Sequence, residues 1–125
     1  MFKFSKWNRK RKVKGLIKDA QLIIDHVRQT TRPEKLKKIA IITSKHIEHA
    51  QKTFGETPTG FKRAIDEYKR LHNEARRQRD DISLSAFTLV QIYIRASAVG
   101  QECQPAKEII KAFMKEKKIV PHADK

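Results

Sequence analysis

Apolar positions recur at steps of three and four along most of this chain, the repeat of helices that each bury one face. Val13, Leu16, Ile17, Ala20, Ile23, Ile24 and Val27 predict a first helix over residues 13–30. Pro33, whose missing N–H would have no partner in a first helical turn, opens a second over 33–54. Leu36, Ala40, Thr43, Ile47, Ala50 and Phe54 form its stripe, and Gly55 stops it. Thr57-Pro58 supplies a cap and a first-turn proline for a third helix over 58–79, which buries Phe61, Ala64, Ile65, Tyr68, Leu71 and Ala75. Asp80-Asp81 put carboxylates at the start of a fourth, where the helix dipole favours them. Gly100 ends that helix, and Pro105 opens a short fifth over 105–118 with Ala106, Ile109, Ile110, Phe113 and Met114 inward.

The fourth helix, 82–99, has a different pattern. ISLSAFTLVQIYIRASAV holds a single charged residue. Leu84, Phe87, Ile94 and Ala98 make one apolar face, and Ile82, Ala86, Leu89, Tyr93 and Ala96 another. Ser85, Thr88 and Arg95 leave only a thin polar strip between them. The alternation at Ile82–Ser85 also fits a strand, but the uninterrupted length exceeds what strands ordinarily reach. A helix that is apolar nearly all round belongs at the centre of a bundle. The expected architecture is therefore an all-α, single-domain bundle of four long helices plus a short C-terminal fifth, with helix four central. Residues 1–12 read as a basic, flexible arm, 13–120 as the bundle and 121–125 as a tail.

Composition sharpens this. At 125 residues with four glycines and four prolines, the chain suits one domain of long helices rather than a loop-rich β fold. No continuous apolar run reaches the ~18 residues a membrane span needs. The single cysteine, Cys103, cannot form an internal disulfide and has no basic neighbour to lower its thiol pKa. With no apolar stretch behind the basic N-terminus, a secretory leader is not expected, and the reading is a cytoplasmic protein. Residues 16–27 laid on 36–47 match at Leu16/Leu36, Lys18/Lys38, Ala20/Ala40 and His26/His46, a similarity that two amphipathic helices reach by chance.

Charge changes the picture most. The chain carries 29 Lys and Arg against 14 Asp and Glu, a formal net charge of +15. Residues 1–18 hold eight of those cations and no acid, interleaved with Phe2, Phe4 and Trp7. Arg9, Lys10, Arg11 and Lys12 could neutralise phosphates while Trp7 stacks on a base. The same segment could instead insert its aromatics into an anionic membrane surface, or simply solubilise the chain. Helix three adds Lys62-Arg63, Lys69-Arg70 and Arg76-Arg77, three basic pairs at a spacing of seven that form a band opposite its buried stripe. Arg63–Glu67, Asp66–Arg70 and Arg70–Glu74 are i,i+4 pairs, so part of the band is open to self-neutralisation. Lys38, Lys45 and Lys52 repeat the same step on helix two, and Lys107, Lys111, Lys115 and Lys118 line helix five.

Catalytic chemistry finds little support. No Gly-rich phosphate loop and no Ser-His-Asp or Cys-His set can be assembled, and Asp66/Glu67 and Asp80/Asp81 sit in solvated or capping contexts. His46 and His49 could share a metal only with His26, His72 or Glu74 from elsewhere, and they read better as surface histidines. A nuclease built on Arg70, His72 and Arg76 fails because His72 falls toward the apolar stripe. The expectation is a non-catalytic, sequence-tolerant nucleic-acid binder with no cofactor and no metal, using Trp7, Arg9, Lys10, Arg11, Lys12, Lys62, Arg63, Lys69, Arg70, Arg76 and Arg77. The alternatives are an interaction module for an acidic protein partner, in one form a homodimer, and peripheral binding to an anionic membrane.

Overall fold

Lys, Arg and Leu, all good helix formers, recur through the first thirty residues, and no proline interrupts them. The computed structural model describes residues 2–115, with side chains from Asn8 onward. Its first helix, α1, accordingly runs Phe2–Thr30 without interruption. The boundary expected between residues 12 and 13 does not appear. Gly15 causes no break, because nothing lies within 4 Å of where its Cβ would be. The side chains of Phe2, Phe4 and Trp7, and the tail from residue 116, lie outside the described residues.

Four more helices follow: α2 (Pro33–Phe54), α3 (Pro58–Arg77), α4 (Asp81–Val99) and α5 (Gln104–Met114), with one 3₁₀ turn over Gln101–Cys103. The expected signals sit at their ends. Pro33 and Pro58 fill first turns, the Thr57 hydroxyl accepts from the Gly60 N–H at 3.0 Å, and Asp80 accepts from the Ser83 N–H at 3.0 Å. Gly55 and Gly100 take positive φ at two C-termini. A Cβ on Gly60 would overlap the Phe54 carbonyl oxygen, so the tight α2–α3 corner requires glycine there. The pattern overran α3 by two residues because its stop is Arg79, at φ 56°, where no glycine announces it. The pattern also carried the fifth helix to 118; α5 is Gln104–Met114, and residues 116–118 lie outside the described residues.

The bundle is organised around α4. Ala86, Phe87, Leu89, Val90, Ile92, Tyr93, Ile94, Ala96 and Val99 are all buried there, against α1, α2, α3 and α5. By length and composition alone this helix could cross a membrane, with a mean hydropathy of 1.4, although no continuous run in it is fully apolar. Here its apolar groups meet protein, and half of that window is buried. Around it, α1 packs on α5, α5 on α2, and α2 on α3. Among the described residues, α3 and α1 make no comparable contact, so the ring is open at that seam.

Candidate nucleic-acid interface

The open seam has a cause in the sequence. The narrow apolar stripe of α3 (Ala64, Tyr68, Ala75) is already buried in the core, which leaves Lys69, His72, Asn73 and Arg76 toward α1. On the other bank α1 offers Asp19, Leu22, Ile23 and His26, which is no better suited to zip closed. The floor is the polar strip of α4: Ser85, Thr88, Gln91 and Arg95. Two adjoining clefts, of about 850 and 380 Å³, share Ile23, His72 and Thr88 and so form one trough. A third, of about 380 Å³, continues along α4 at Ala98, beside Asn8, Arg9 and Lys12.

The electrostatics of the trough are one-sided. Arg32, Lys35, Lys69, Arg76 and Arg95 line its two main clefts, against Asp19 and Asp81. Among the described residues none of these five cations meets a carboxylate within ion-pair distance. Burial, and then the neighbouring Arg76 charge, hold the His72 imidazole below its usual pKa, opposed by a hydrogen bond with Asn73. Leu22, on the α1 bank, is 55% exposed, one of two large apolar side chains left that open among the described residues.

The expected binding residues divide between this trough and other surfaces. Lys69 and Arg76 face it, and Lys12 lines its extension. Lys62, Arg70 and Arg77 are held by carboxylates of their own helix: Lys62 by Asp66 at 3.4 Å, Arg70 by Glu67 at 2.7 Å and Arg77 by Glu74 at 2.6 Å. At Arg70 and Arg77 an i,i+3 partner is taken rather than an i,i+4 one, while Lys62–Asp66 is an i,i+4 pair. Arg70 holds Glu67 below the usual carboxylate range, and Arg63 lies over the Phe54 ring, 5.9 Å from its centroid. The band on α3 is therefore not one surface. Arg9 is also committed, pairing with Glu102 at 2.7 Å and donating to the Val99 carbonyl, which ties α1 to the turn after α4. Lys10 and Arg11 are exposed on α1.

Sequence reasoning missed Arg32, Lys35 and His26, whose place in the trough depends on packing order. Arg95 was legible, since a polar strip on a central helix marks where the surrounding ring opens. His49 is exposed as expected, but His46 is half-buried and packs edge-on against Tyr68 and Phe87. Among the described residues no group of three or more His, Cys, Asp or Glu side chains comes together to hold a metal ion. Cys103 is fully buried, and burial pushes its thiol pKa up. Comparison of the chain with known protein families, with curated proteins and with solved structures returns no match.

Proposed function

We propose that the protein is a non-catalytic, sequence-tolerant nucleic-acid binder that lays a single strand along the α1–α3 trough. One observation carries the reading: five Lys and Arg side chains from four parts of the chain line one open channel, and among the described residues none of them pairs with a carboxylate. Holding like charges together costs Coulomb energy that only an anion in the channel offsets. Phosphodiesters suit it, because Arg gives planar paired donors and Lys a point charge, and their contacts to phosphate carry no base information. Lys12 extends the track beyond Arg95 toward the N-terminal cations.

A second reading rests on Leu22. An acidic amphipathic helix could set apolar side chains on Leu22 and the half-buried Ile23 and Leu84 while its carboxylates meet the same cations. The test is the affinity for single- and double-stranded oligonucleotides over a salt series, with an acidic helical peptide and anionic vesicles as parallel arms. Nucleic-acid binding predicts a steep linear fall of log K with log salt and indifference to Leu22→Ser. Peptide binding lost on Leu22→Ser, without oligonucleotide affinity, would replace the first reading with the second.

A further inference from the structure

The two ends of the trough differ. Toward Ala98 it runs on along α4, and at the other end the α1–α2 link, Thr31-Arg32, lines it. Cations from three separate elements line the larger cleft there: Arg32 from the link, Lys35 from α2 and Arg76 from α3. The hydroxyls of Thr31 and Ser85 also line it, as do the His26 and His72 rings, and Asp81 is its single carboxylate. An internal stretch of strand has to leave a binding channel at both ends. A cleft that gathers three cations beside a connecting link, at the end of the trough, instead suits a strand that terminates there.

Resting on the nucleic-acid reading above, we propose that this larger cleft is a binding site for the terminal phosphomonoester of the strand. A phosphomonoester carries about −1.5 to −2 charges at pH 7 and three acceptor oxygens. A bridging diester carries one charge, so the end group matches three converging cations where an internal phosphate does not. Arg32 and Arg76 supply forked donors, Lys35 a mobile ammonium, and Thr31 and Ser85 neutral donors. Ile23 and Ile82 on the cleft wall give the terminal sugar and base an apolar surface. The seam residues Lys69 and Arg95 then follow the phosphates behind it.

The experiment compares four forms of one single-stranded oligonucleotide: 5′-phosphorylated, 3′-phosphorylated, hydroxyl at both ends, and circular. Each is titrated against the full chain, an Arg32→Ala/Lys35→Ala variant and a Lys69→Ala/Arg95→Ala variant, with circular dichroism and melting verifying that all three fold alike. One phosphorylated form is expected to bind the wild type about tenfold more tightly than the hydroxyl and circular forms, the gain of one charge-assisted contact. Which end carries the phosphate in that form gives the direction of the strand. Arg32→Ala/Lys35→Ala should weaken the hydroxyl-ended and circular forms moderately, as loss of two trough cations requires, and bring the phosphorylated form down to the same affinity, erasing the preference; Lys69→Ala/Arg95→Ala should weaken all four forms alike and keep the preference. Equal binding of all forms, still sensitive to Lys69→Ala/Arg95→Ala, overturns the end site and leaves the strand in the trough. Absence of binding by every form at low salt removes the nucleic-acid reading itself, and the end site with it.

Discussion

Tyr68 shows how a single polar contact inside the bundle is kept satisfied. Its hydroxyl donates to the His46 carbonyl at 3.2 Å and lies 3.0 Å from His46 Nδ1. When that proton goes to the carbonyl, Nδ1–H is the donor to the hydroxyl oxygen, so the two contacts are satisfied together in the Nδ1–H tautomer. Burial pushes the Tyr68 pKa up to about 12. Burial also lowers the His46 pKa, helped by the charges of His49 and Lys45, and His72 is lowered in the same direction. In the unfolded chain these imidazoles take up protons near pH 6.5, and in the folded chain only at lower pH. Over that interval the unfolded state binds more protons, so stability is complete above about 6.5 and is lost as the pH falls through the folded values. Melting temperature should therefore decline between pH 7.5 and 5.5, and decline less in His46→Asn, which keeps an N–H for Tyr68. Parallel profiles for the two proteins would show that His46 does not contribute to the fall. Leu89, with no exposed surface, provides the purely apolar counterpart. Leu89→Ala should cost about 2–5 kcal/mol in denaturant unfolding through the cavity it leaves, and a loss below about 0.5 kcal/mol would remove α4 from the centre.

At the scale of an element, α3 shows what a heptad of charge does on a helix. Seven residues fall about 20° short of two full turns, so each column of cations drifts sideways along the axis. The column Lys62, Lys69, Arg76 drifts into the seam, and Lys69 and Arg76 line its clefts. In the column Arg63, Arg70, Arg77, the last two meet Glu67 and Glu74. If phosphates lie in the trough, Lys69→Ala/Arg76→Ala should flatten the slope of log K against log salt by about 1.4–1.8. Arg70→Ala/Arg77→Ala should leave that slope close to the wild-type value and barely move stability, exposed helix pairs contributing about 0.3–0.5 kcal/mol each. A larger slope change in the Arg70/Arg77 variant would place the contact surface outside the seam. The spacing of these six residues was readable from the chain, as were the helix count and the apolar character of α4. Which column faces a partner was not, because that depends on the order in which α1, α5, α2 and α3 surround α4. The start of α1 misled for a local reason: dense Lys and Arg look like a solvated arm, yet the same residues favour helix, and Arg9 finds Glu102 ninety-three positions away.

For the molecule as a whole, a net charge of +15 means that polyanions are attracted to the folded and the unfolded chain alike. Simple binding is then weak support for any particular surface, and linkage offers a stricter measure. A ligand at about a hundredfold excess over Kd stabilises a folded site by about 2.7 kcal/mol, less whatever it gains by binding the unfolded chain. For a domain of this length each kcal/mol moves the melting temperature by roughly 4 °C, so a single-stranded oligonucleotide at low salt should raise it by about 10 °C at most. Lys69→Ala/Arg76→Ala and Arg70→Ala/Arg77→Ala remove the same charge from neighbouring positions of one helix. Their unfolded chains are therefore matched in affinity for the oligonucleotide, and the unfolded-state contribution cancels between them. The Arg70/Arg77 variant should keep most of the wild-type rise, while the Lys69/Arg76 variant should lose most of it. Equal rises in the two variants would mean that net charge alone recruits the strand, and that the trough between α1 and α3 has no part in holding it.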